Sequence, residues 1–130
     1  MVVVDSSVWV EFFRGRDTEL IVELRRLLDE GEVALGAPVR LELLSGASRK
    51  DWARLRRLFS ALPVLFPSET TWSKLEGWIE RGMRSGERFG VADLMIAGIA
   101  DDWGANLWSL DSDFLRMQRL GFAQLHDSER

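Results

Sequence analysis

The chain has 130 residues, no cysteine, one histidine and a formal net charge of −4. That length suits one domain, expected over residues 1–130, with a sizeable core. The missing cysteines exclude disulfides and thiolate zinc sites and fit a reducing cytoplasm, and the negative charge excludes binding nucleic acid by bulk charge. The opening MVVVDSS lacks a basic flank, and no stretch approaches the roughly 20 apolar residues of a membrane helix, so a cytoplasmic protein without membrane attachment is expected.

Val2-Val3-Val4 is a β-branched run and reads as a buried strand. Asp5, Ser6 and Ser7 follow, all helix N-cap types. Trp9, Phe12 and Phe13 recur at helical spacing until Gly15. A second helix starts at Thr18, with Leu20, Ile21, Leu24, Leu27 and Leu28 as its apolar stripe, and stops at Gly31. Glu32 to Leu35 is a short strand closed by Gly36. Pro38 fits the first turn of a third helix running to about Ser45. A fourth helix spans Lys50 to Ala61, and Pro63 keeps the strand at Leu62 to Phe66 short or at an edge. Ser68 opens a long helix carrying Trp72, Leu75 and Ile79, and Gly82, Gly86 and Gly90 punctuate the loop after it. Val91 to Trp103 is an apolar helix, Asn106 to Leu110 a strand, Asp113 the start of a last helix, and Phe122 to Leu125 a final strand. Strands and helices alternate, which predicts an α/β fold: a three-layer α/β/α sandwich with a central, mostly parallel sheet of four or five strands.

Five acids stand where hydrophobic segments end or helices begin: Asp5, Glu42, Asp93, Asp111 and Asp113. Open parallel sheets gather their sites at the carboxyl ends of strands, so acids after separate strands can converge. Clustered carboxylates resist joint ionisation unless a cation compensates them. Oxygen donors without cysteine suit a hard divalent ion. Each acid also has a plainer reading. Asp5 and Asp93 serve as helix-start residues, and Glu42 serves as an exposed helix residue among leucines. Asp113 is open between ligand and N-cap, and Asp111 is the better ligand. Ser6 and Ser109 either cap or donate to ligands and phosphate. Asp101 and Asp102 read as solvated, Glu11 as outside the site, and His126 as a surface residue. The six tryptophans read as core or interface.

Four segments, VVVDSSVWVEFFRG, PVRLELLSG, FGVADLMIAGIA and LWSLDSDFLRM, together resemble a PIN domain of the VapC toxin type. The likeness covers nearly the whole chain, in family order and spacing. It implies a Mg2+- or Mn2+-dependent endoribonuclease with catalytic Asp5, Glu42, Asp93 and Asp111, and Asp113 as a further metal ligand. It also implies an RNA substrate, an antitoxin partner and a homodimer. Ser109 stands where the family often has threonine, and the hydroxyl is kept. Ser6, Ser109 and Arg88 are expected to position substrate. Arg81, Arg84 and Arg88 either reach RNA backbone or pair with Glu80 and Glu87. Arg49, Lys50, Arg54, Arg56 and Arg57 form a basic surface that is either solvated or a phosphate-binding flank. An apolar face on the third and fourth helices is expected to dock the antitoxin. The rival readings are a receiver-like or phosphatase-like phosphotransfer domain, and a PIN-like RNA-binding module that does not cleave. The first wants a second acid beside Asp5 and a lysine after a late strand. Ser6 and Ser7 follow Asp5 instead, and the only lysines are Lys50 and Lys74.

Overall fold

The three valines after Met1 form strand β1 (Val2–Val4), buried along its whole length at the centre of the sheet. The computed structural model describes residues 1–127. In it, α1 (Ser6–Arg14) and α2 (Thr18–Asp29) follow, then β2 (Val33–Gly36), α3 (Ala37–Gly46), α4 (Arg49–Ser60) and β3 (Val64–Leu65). The chain continues through α5 (Glu69–Arg84), α6 (Val91–Asp102), β4 (Asn106–Trp108) and α7 (Asp113–Arg119).

The four strands are parallel, in the order β3-β2-β1-β4. Val3 pairs with Ala34 on one side and Leu107 on the other. The chain winds outward from β1 to β3, then returns to place β4 on the opposite flank of β1. The order therefore reverses between β1 and β4, the crevice where open parallel sheets bind ligands. With helices covering the sheet, the fold is the expected α/β/α sandwich. No helix among the described residues is long and apolar enough to cross a membrane.

Several boundaries differ from expectation for local reasons. β3 is short and lies at the edge, as Pro63 requires, and the Pro63 carbonyl still accepts from Leu35 N at 2.9 Å. Gly82 lies inside α5 rather than in the following loop. The chain folds back so closely that a Cβ at Gly82 would stand 3.1 Å from the Glu87 carbonyl oxygen. Gly98 has a related role, because a Cβ there would meet Leu75 Cδ2 at 2.8 Å where α5 and α6 cross. The expected final strand reduces to one bridge, Leu107 with Leu125, flanked by Leu107 N→Gln124 O and His126 N→Leu107 O. The named strands are therefore four.

The core joins the strands to Trp9, Leu24, Phe59, Ile96, Ile99, Phe114 and Phe122. Trp9, Trp78 and Trp108 are buried, while Trp52, Trp72 and Trp103 remain exposed. Two readings of polar residues are corrected. His126 is no surface residue, since its ring lies beside Trp108 with Nε2 3.7 Å from Glu23. Asp101 and Asp102 are not merely solvated. Lys74 bonds both, reaches Gly98 O at 3.1 Å, and so ties α5 to α6 together with the Thr71–Asp102 bond.

Candidate metal centre

β1 ends at Val4, so the next side chain, Asp5, stands at the carboxyl edge of the central strand. Its backbone N–H bonds Trp108 O at 2.8 Å, which locks the end of β1 to the end of β4. The side chain makes no cap bond to α1, although Asp5 is the N-cap residue. Instead Asp5 Oδ2 accepts from Ser109 Oγ at 2.7 Å and from Ser7 Oγ at 2.8 Å. These hydroxyls are themselves fixed. Ser7 Oγ accepts from Leu110 N, and Ser109 Oγ accepts from Asp111 N, each at 3.0 Å. Asp5 is buried, with 5% of its surface exposed. A buried carboxylate needs such donors, and here they also set the direction of its other oxygen.

Asp93 lies in the first turn of α6, where the helix dipole favours negative charge. One carboxylate oxygen from each of Asp93, Asp111 and Asp113 lies within 4.8 Å of the other two. Ser112 is the N-cap residue of α7, and Asp111 Oδ1 accepts from Asp113 N at 2.9 Å just before the helix. Asp113 is instead the first residue of α7, bonded to Arg116 at 2.8 Å. Arg116 also pairs with Glu87. Glu42, on α3, accepts from Ser6 Oγ at 3.4 Å.

The electrostatics record the crowding. Burial raises Asp93 first, and the charges of Asp5, Asp111, Asp113 and Glu42 add to it, bringing its pKa to about 6. Burial, then the charge of Asp5, also raises Glu42, against the Ser6 hydrogen bond. Only oxygen donors meet here, with no sulfur or imidazole. This donor set fits a hard cation such as Mg2+ or Mn2+, and a divalent charge would relieve the repulsion.

An open cavity of about 450 Å³ holds these groups, lined by Asp5, Ser6, Ser7, Glu42, Asp93 and Asp111, with Leu110. Val10, Glu11 and Arg14 complete the lining from α1. The fold thus gathers the expected Asp5, Glu42, Asp93 and Asp111, with Asp113 beside them and Ser6 and Ser109 in contact with acids. It does not bring in Arg88, which is exposed before α6 and lines no part of the cavity. Arg84 pairs with Glu80, and Arg81 bonds Leu120 O at 2.7 Å, so neither faces the acids. Ser7, Glu11 and Arg14 also line the cavity, although the sequence reading keeps Glu11 outside the site. Their signal was the spacing 7, 11, 14, one face of a helix that starts at Ser6.

A family profile described as PIN domain matches residues 2–120. The chain belongs to the PIN-domain family. VapC ribonuclease Mb1587 of Mycobacterium bovis is 35% identical over 119 residues, covering 88% of this chain and 89% of that protein. Ribonuclease VapC11 of Mycobacterium tuberculosis matches with the same figures. Among solved structures, VapBC2 of Rickettsia felis, bound to a promoter DNA fragment, superposes with a TM-score of 0.80. It is 18% identical and covers 99% of this chain and 100% of its own. VapC20 of M. tuberculosis, described as a sarcin-ricin loop cleaving toxin, gives 0.65 at 18% identity, covering 98% and 100%. At such identities these structures speak for the fold, which is that of a PIN domain.

Proposed function

We propose that this chain is a metal-dependent endoribonuclease, the toxin of a toxin–antitoxin pair. The carrying observation is the convergence of acids from the end of β1, α3, α6 and the β4–α7 segment in one cavity, where burial and then their charges bring the Asp93 pKa to about 6. The relatives named ribonucleases support the choice of RNA. Asp5, Glu42, Asp93 and Asp111 are the catalytic acids, and Asp113 joins them as a ligand. When bound, Mg2+ (or Mn2+) supplies a water of lowered pKa and offsets the charge that grows on the phosphate. Ser7 and Ser109 keep Asp5 aimed, and Ser109 also fixes the backbone that carries Asp111. The cavity is open on one side, so a single strand can cross it without threading.

The solved VapBC complexes support an antitoxin partner. Exposed Leu41 on α3 and Trp52 on α4 give the expected docking face apolar surface. The family resemblance further implies a homodimer in the cytoplasm. The receiver-like reading loses its lysine, because Lys74 is engaged at the far end of α6.

The test is cleavage of a mixed RNA pool by the purified chain. Mg2+-dependent cutting is expected, abolished by a chelator and by Asp5→Asn. Equal cutting by that variant would remove the site from consideration. RNA binding with no cutting under any divalent ion would favour the non-cleaving module.

A further inference from the structure

The acids share the cavity with one face of α1, from Ser6 and Ser7 through Val10 and Glu11 to Arg14. Nine residues make this helix, so Ser6 and Arg14 are separated by eight rises, about 12 Å along the axis. Among the described residues, Arg14 is the one basic side chain that lines the cavity. Glu11, also in the lining, bonds Arg14 Nη1 at 2.8 Å and Arg16 Nη2 at 3.1 Å. One carboxylate therefore serves two guanidinium groups, and this cluster keeps a net positive charge. Both arginines are well exposed, at 56% and 67% of their side chains, while Glu11 is only 24% exposed. An ordinary i,i+3 pair at a helix C-terminus would need neither the second arginine nor a place in the cavity wall.

Arg116, which touches the acidic cluster through Asp113, is already held by Glu87 and Asp113. A polyanion drawn into a chain of net charge −4 still needs a fixed cation away from the reacting phosphate. Resting on the ribonuclease reading, we infer that Arg14, held by Glu11 with Arg16 behind it, grips an RNA phosphate flanking the scissile one. Glu11 bonds one guanidinium nitrogen, Nη1, and leaves the remaining N–H groups of this exposed side chain to take a phosphate. Arg14 is then a positioning residue that sets how much RNA beyond the cut is held.

The test uses the full chain with Mg2+ and single-stranded oligoribonucleotides. Kinetics are followed for wild type, Arg14→Ala, Arg14→Lys and Arg84→Ala, the last a control on α5 whose guanidinium pairs with Glu80 and does not face the acids. On a substrate of several nucleotides, Arg14→Ala should raise KM roughly tenfold with little change in kcat. It should also lower the salt slope of binding by about one. Arg14→Lys should recover part of the loss, and Arg84→Ala should match wild type. On a dinucleotide, which has no flanking phosphate, Arg14→Ala should equal wild type. An unchanged KM on the longer substrate would overturn the inference, and so would equal losses on both substrates. Oligonucleotide binding read by fluorescence anisotropy separates the two readings. If wild type cuts nothing, the ribonuclease proposal fails, while equal affinity of wild type and Arg14→Ala would still sink the arginine arm by itself.

Discussion

Helix α6 carries aspartates at both ends, and the two ends treat them oppositely. At its start, burial and then the charges of Asp5, Asp111, Asp113 and Glu42 raise the Asp93 pKa to about 6, although the helix dipole favours its charge. At its end, Asp101 and Asp102 face an unfavourable dipole, yet Lys74 bonds both. Burial pushes Asp102 up, but hydrogen bonds from Lys74 and Thr71 outweigh it, so its pKa is lowered. One end has a cation supplied by the protein, and the other gathers its carboxylates inside a cavity with far less compensation. A structural ion pair needs no further partner. An uncompensated cluster is retained at a cost to stability, which is the mark of a site that receives a cation.

The largest break in this contrast comes from Asp93→Asn. On the proposed function it removes a metal ligand worth several kcal/mol to the transition state, so activity should fall about a thousandfold. Metal-free stability should move the other way. The unfolded group titrates near 3.8 and the folded one near 6, so the folded state binds more protons between them. Stability is therefore lost as pH rises through that window. At pH 7.5 the metal-free variant should be more stable by about 1–2 kcal/mol, allowing for solvent screening. Urea unfolding in a chelator checks this, and a destabilised variant would mean Asp93 is structural.

A smaller break sharpens the acidic end. Ser7 and Ser109 donate to the same oxygen of Asp5 and lie 3.2 Å apart. Loss of a group that orients a metal ligand typically costs 10- to 100-fold in affinity or activity. Each single alanine should fall about tenfold, because the other hydroxyl still holds Asp5. The double variant should lose more than the product of the singles, since the groups share one acceptor. Mg2+ titration by calorimetry and kcat measurements would show it. A harmless Ser7→Ala would leave Ser109 as the only holder.

What the sequence disclosed of this contrast follows from range. β1 and Asp5 are adjacent in the chain, so a β-branched run followed by a polar stop revealed both. The acids of the site came through for the same reason, each standing at the end of an apolar segment or in a family motif. Arg88 failed because closeness to Asp93 in sequence does not set the direction of a loop side chain. Glu11 failed because its aromatic neighbours suggested packing, whereas its own position on α1 follows Ser7 by one turn. The Lys74 bridge and the burial of His126 depend on contacts between α5 and α6 and between α2 and the end of the chain. No local pattern announces such pairs. The excess charge at Asp93 was inferable in kind, but its size required the distances among acids from four segments.

The finest comparison is the pH profile of the metal-free chain, where the two ends of α6 should contribute slopes of opposite sign. Asp102 has a folded pKa below its unfolded value, so its stabilisation is present above about pH 4 and lost as pH falls further. Lys74→Met removes the cause. It should cost about 1–2 kcal/mol at neutral pH, since it leaves two aspartates and Thr71 without their cation, and it should leave kcat unchanged. It should also flatten the acid limb of a plot of thermal midpoint against pH. Asp93→Asn should flatten the limb above pH 4 and leave the acid limb alone. Because the two groups lie at opposite ends of one helix, their effects should add in the double variant. Marked non-additivity would mean that α6 transmits charge between its ends, and the separation of a structural end from a catalytic end would fail.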